Sequence, residues 1–98
     1  MSEKLHSDDI AVDAFAALMK AKLKKKRGDG RGGWEECRPH ELAKMLCDHL
    51  DKGDPVDIAN FCMFISSIGT SKKVVRDSIL DALQDWITAS TEVVLVKP

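Results

Sequence analysis

The side chains that could do chemistry in this chain fall into three sets: a run of cations, a few carboxylates at helical spacing, and two cysteine–histidine pairs. Residues 20–31 hold Lys20, Lys22, Lys24, Lys25, Lys26, Arg27 and Arg31 against Asp29 alone, in a protein of net charge −1. Charge gathered in this way makes a local positive field that the overall balance conceals. The run passes into a glycine-rich stretch, Gly28-Asp29-Gly30-Arg31-Gly32-Gly33-Trp34. Successive amides of such a turn can form a concavity for an anion, with Lys24, Lys25, Arg27 and Arg31 supplying charge and Trp34 an indole for stacking. The competing structural reading is a solvated helix end, with Trp34 folded onto the core as an anchor. The Gly-Lys-Ser/Thr ending of a nucleotide-binding P-loop is missing, and no strand precedes the loop.

Among the carboxylates, Glu41-x-x-Lys44 and Asp57-x-x-Asn60 fall on successive helices, and Glu41 and Asp57 become candidates for a divalent cation through a resemblance to all-α enzymes that hold Mg²⁺ with carboxylates from two facing helices. Lys44, three residues after Glu41, puts a positive charge where a second carboxylate is wanted. Asn60 follows Asp57 at the same spacing on an otherwise apolar helix, so it is expected to be buried and to set helix register through its amide. Cys37-x-x-His40 and Cys47-x-His49 invite a zinc reading, but residues two apart on a helix lie about 200° apart and cannot share one ion. His49 also falls on an apolar face, where a hydrogen-bonded core histidine is expected. No cysteine has a convincing base beside it, so no catalytic residue is assigned. No cofactor is expected either, and Mg²⁺ enters only if the Glu41–Asp57 reading holds.

Four helices must position these groups, at about residues 8–27, 39–52, 54–68 and 71–89. In the first, Ser7, Asp8 and Asp9 offer a cap and first-turn carboxylates; Val12, Phe15, Ala16, Met19 and Leu23 mark one apolar face, and Gly28 closes the helix. Ala11, Ala14, Ala17, Leu18 and Ala21 widen that arc with mostly small residues. Pro39 stands at the first position of the second helix, and Leu42, Met45, Leu46, His49 and Leu50 repeat along its inner side. Gly53 ends it, and Asp54-Pro55 at once starts the third, so the two form a hairpin or tight corner. The third helix, through Gly69, is apolar on nearly every face and is the expected centre of the fold. Thr70 or Ser71 caps the fourth, with Val75, Ile79, Leu83, Trp86 and Ile87 inward. Residues 91–96 are β-branched and read as a short extended C-terminal tail.

The expected architecture is therefore all-α: a single domain over 1–98 of four helices with a central hairpin. Ninety-eight residues bury a modest core, so a homo-oligomer, a dimer first of all, is expected. The longest apolar run, Phe61 to Ile65, is too short for a bilayer, and three cysteines without a leader point to reduced thiols in a cytoplasm.

The order of these pieces resembles a group of small bacteriophage and prophage helical proteins with no assigned activity. It lies in the basic helix, in "KKKRGDGRGGWEEC", and in "LAKMLCDHLDKGDPVDIANFCMFI", over about residues 12–66. The resemblance implies a phage or prophage accessory protein acting in the bacterial host cytoplasm. A more distant similarity is to the all-α, MazG-like nucleotide pyrophosphohydrolases, which carry Glu-x-x-Glu and Glu-x-x-Asp where this chain has Glu41-x-x-Lys44 and Asp57-x-x-Asn60. The leading expectation is a non-enzymatic binding protein that contacts an acidic host protein, a nucleotide or nucleic acid through Lys24, Lys25, Arg27, Arg31 and Trp34. The alternatives are a degenerate metal-dependent pyrophosphohydrolase and a structural or assembly protein acting through a dimer face.

Overall fold

A computed structural model describes the backbone of residues 5–96 and the side chains of residues 5–89. Four helices are present: α1 (Ser7–Gly28), α2 (Pro39–Leu50), α3 (Pro55–Ser67) and α4 (Lys72–Val96), with a 3-10 turn at Trp34–Glu36 before α2. The described residues contain no strand, and the protein is all-α. Its packing divides into two compact units, Met1–Gly32 and Gly33–Pro98, where composition and length led to one domain over 1–98.

The first unit is α1 and its exit loop. His6, not Ser7, is the N-cap: its Nδ1 accepts from the Asp8 amide at 3.0 Å, and Asp8 and Asp9 lie in the first turn. Lys25, Lys26 and Arg27 occupy the last turn, so both ends complement the helix dipole. No residue of α1 is fully buried. Phe15, Ala16, Met19 and Leu23 are half-buried as their spacing anticipates, while Val12 at the head of that face is exposed. The helix ends at Gly28, as expected, but the residue that closes it in the left-handed conformation is Gly30. Gly30 takes the left-handed conformation at φ 84°, its amide donates to the Arg27 carbonyl at 3.0 Å, and the Arg31 amide reaches back to Lys26 at 2.9 Å. These are the two bonds of a Schellman closure.

In the second unit the central helix is α2, not α3: both α3 and α4 pack against it. Leu42, Ala43, Leu46 and Cys47 are its buried residues, whereas Met45 and Leu50 of the expected inner face are 40% and 41% exposed. The reason lies in side-chain size. Ala43 and Cys47 leave room for α4 to approach closely, and they meet Ala82 there, with Ile79, Leu83 and Trp86 around the contact. The buried arc of α2 thus keeps Leu42 and Leu46 of the repeat and widens to Ala43 and Cys47, leaving out Met45 and the terminal Leu50, and α3 takes the adjoining side. Cys62, Ser66 and Ser67 of α3 are exposed, so its general apolarity does not make it the centre.

The hairpin forms where the caps require it. Gly53 has φ 68°, a conformation that strains any residue with a Cβ, and Asp54 then accepts the Val56 amide at 2.9 Å. Phe61 packs on His49 near the end of α2, and Phe64 stacks on Trp34 just before its start, so α2 and α3 run antiparallel. At the last junction Ser71, not Thr70, caps α4, its hydroxyl accepting the Val74 amide at 3.2 Å. Residues 91–96, expected as an extended tail, continue α4 as helical backbone. Between Lys72 and Val96 there is no glycine or proline to stop the helix. Extending a helix already nucleated adds a hydrogen bond per residue, and β-branched residues cost only a few tenths of a kcal/mol each, roughly. Among the described residues no helix is long and apolar enough to cross a membrane.

Candidate functional site

The basic run lies on the last two turns of α1 and its exit loop, with Lys20, Lys24, Lys25, Arg27 and Arg31 exposed and Lys22 and Lys26 half-buried. Consecutive residues on a helix are about 100° apart, so Lys24, Lys25, Lys26 and Arg27 radiate around the axis and do not line one face. The first amides of the glycine-rich turn are used within the helix end. The Asp29 amide donates to the Lys25 and Lys26 carbonyls at 3.2 and 3.1 Å, and Gly30 and Arg31 close the helix as described. Those three amides complete a helix terminus, leaving anion contact at this turn to the side chains.

Trp34 belongs to the second unit, and Lys24, Lys25, Arg27 and Arg31 to the first. Its ring stacks on Phe64 with centroids 4.8 Å apart and planes 10° apart; Phe64 meets Phe61 edge-on, and Phe61 leans on His49. One face of the indole is therefore engaged by the core of its own unit, which is an anchoring contact. Cys37 secures the same turn from below, its thiol donating to the Gly33 carbonyl at 3.7 Å.

Glu41 and Asp57 do not come together. Glu41 is exposed in the first turn of α2, where its Oε1 accepts the Arg38 amide at 3.0 Å and so caps the helix. Asp57 is buried in the first turn of α3, 7% exposed. The two stand in the first turns of helices that run antiparallel, which places them toward opposite ends of the pair. Nor do histidines, cysteines and carboxylates converge elsewhere: among the described residues no three of them could hold a metal ion.

Of the cysteine–histidine pairs, Cys47 and His49 are built into the packing, while His40 is exposed on α2. The His49 ring nitrogen Nδ1 lies 2.8 Å from the Met45 carbonyl, and since a carbonyl only accepts, the proton sits on Nδ1. Cys47 is buried at 1% exposure, and burial, helped by the neighbouring Asp48, pushes its thiol above the ordinary range. Cys37 and Cys62 are free thiols too, and Cys62 is exposed on α3.

Two concavities escape sequence reasoning because residues far apart in the chain build them. One, of about 410 Å³, combines Cys62 and Ile65 of α3 with Val75 and Ile79 of α4, with Lys72 and Arg76 also in its lining. The other is polar, with His40 of α2 beside Asp81, Gln84, Asp85 and Thr88 of α4. A neighbouring pair on α4 is structural: Lys73 Nζ lies 2.7 Å from Asp77 Oδ2, and this hydrogen bond raises the lysine and lowers the carboxyl. No protein-family model, curated protein or solved structure matches this chain.

Proposed function

We propose that this protein is a non-enzymatic accessory protein of bacteriophage or prophage type that captures a nucleic-acid backbone through the basic end of α1. The observation that carries this reading is the exposed, encircling arrangement of Lys24, Lys25, Arg27 and Arg31. Lys24, Lys25 and Arg27 lie within one turn of the helix, at about 1.5 Å of rise per residue, and duplex DNA offers one negative charge per about 1.7 Å. Cations that radiate in all directions suit an extended polyanion, which can lie along or around the helix end. A single nucleotide would meet only one or two of them.

With Trp34 stacked on Phe64 and the turn amides used in helix closure, contact runs through charged side chains to phosphates and is indifferent to base sequence. Three free thiols fit action in a bacterial cytoplasm. A catalytic, Mg²⁺-dependent reading gains no support from Glu41 and Asp57, which stand at opposite ends of the hairpin.

The test is fluorescence anisotropy with a labelled oligonucleotide across a salt series. Binding should weaken with a log–log slope of about −3 to −4, for roughly four phosphates neutralised. Charge reversal by Arg27→Glu with Arg31→Glu should abolish it while the melting temperature barely moves, since these side chains are exposed. Binding that survives this reversal would sink the reading, and binding to an acidic polypeptide but not to the oligonucleotide would move the function to a protein partner.

A further inference from the structure

The face of α1 that carries Ile10, Ala11, Ala14, Ala17, Leu18 and Ala21 is exposed, with Ile10 at 52% and Leu18 at 56%. The positions 10, 14, 17, 18 and 21 follow the alternating four- and three-residue spacing of a helix seam. Apolar side chains at the margins with alanines between them make a surface that a second helix can approach closely.

Charge along the same helix says which second helix. Asp8, Asp9 and Asp13 occupy its first half and every cation from Lys20 to Arg27 its second. Asp13, Lys20 and Lys24 are seven and eleven residues apart, so they form one stripe along a flank of the apolar face. We infer that α1 pairs antiparallel with α1 of a second copy of this chain, about a two-fold axis at the helix midpoint between Ala17 and Leu18.

In that register Ala14 lies opposite the partner's Ala21, and Ala17 beside the partner's Leu18. The aliphatic stem of Lys25 covers the partner's Ile10 while its ammonium reaches water. An antiparallel two-fold sets each flank against the same flank of the other copy, so Asp13 falls between the partner's Lys20 and Lys24, twice per dimer. None of these three residues has an ion-pair partner within the chain among the described residues. A parallel pairing would instead set Asp13 against Asp13 and lysine against lysine, with the two helix dipoles aligned. The pairing leaves each end strongly basic, because seven cations from 20–31 meet three partner carboxylates. The inference is therefore independent of whether nucleic acid binds.

Sedimentation equilibrium of the full chain tests it. The wild type should weigh twice the 10.8 kDa chain, and Leu18→Glu should return it to one chain mass with unchanged helical circular dichroism. Asp13→Lys alone, and Lys20→Asp with Lys24→Asp in a second chain, should each be monomeric at concentrations where the wild type is paired. Mixed together, these two variants should form a heterodimer, since both ends are then complementary. A monomeric wild type, a dimer that survives Leu18→Glu, or a mixture that stays monomeric would each overturn the inference. The second of these would point to a different face, which a chain truncated at Thr91 would locate or clear.

Discussion

The two units of this protein are both helical, but they are helical for different reasons. In α1 no residue is fully buried, and the helix rests on local terms: a histidine cap, two carboxylates in the first turn, three cations in the last, and a Schellman closure at Gly30. In the second unit a short helix of twelve residues survives because Leu42, Ala43, Leu46 and Cys47 are shut away between α3 and α4. An isolated helix of that length is marginal in water. The comparison shows where function can be placed at little structural cost. A helix with no fully buried side chain can present much of its surface to partners, and α1 exposes a basic end and the apolar face of Ile10 and Leu18 beside its half-buried side.

The sharpest way to break this contrast is to truncate one leucine in each unit. Leu42→Ala, at a site with no exposure, should lose about 3 kcal/mol in urea unfolding. Leu18→Ala should stay within about 0.5 kcal/mol at concentrations where the chain is monomeric. Equal losses would mean that α1 has a core of its own. The next largest effect is expected at Trp34. Trp34→Ala should cost about 2 kcal/mol through lost stacking and burial against Phe64, and Trp34→Phe much less. If Trp34→Ala instead weakened oligonucleotide binding without destabilising, the indole would be a contact residue after all.

Removing the cap between the paired helices comes third. Asp54→Ala should cost about 1 kcal/mol, because the Val56 amide loses its acceptor. The smallest effect concerns pH. Burial raises the Cys47 thiol above its ordinary value of 9.0, so the folded state keeps a proton that the unfolded state releases. The stabilisation is complete below that ordinary value and is lost as pH rises toward and through the folded-state value. The melting temperature should therefore decline above pH 9, and Cys47→Ala should flatten that decline. In the opposite direction, the Lys73 hydrogen bond lowers Asp77, so its small contribution disappears as pH falls through the acid range. The exposed pair should leave the melting temperature almost unchanged when Asp77→Asn removes it.

Much of the fold could be read from local chemistry, and the misreadings share a cause. Pro39, Gly53, Asp54-Pro55, Gly69 and Ser71 set boundaries through backbone conformation and capping, which act within a few residues. The leucine repeat of α2 located Leu42 and Leu46 but not Ala43 and Cys47, because how far a buried face extends depends on how closely the neighbouring helices approach. The β-branched end of α4 suggested extended chain, but a propensity of tenths of a kcal/mol yields to a helix already under way. At the candidate site the cations were plain in the sequence. The fate of the loop amides was not, since it turned on Gly30 closing the helix. Glu41 and Asp57 looked like partners only while the ends of the hairpin were unspecified.

The sequence by itself determined that this chain is all-α, where its four helices start, and that one helix end carries the positive charge. Those properties follow from caps, periodicity and the order of charged residues, none of which needs a distant neighbour. Only the tertiary structure decided that α2 is the hub, that Trp34 stacks on Phe64, and that Glu41 and Asp57 begin helices of opposite direction. Each of these depends on the mutual direction of packed helices, which small side chains at the contacts set and no local pattern records.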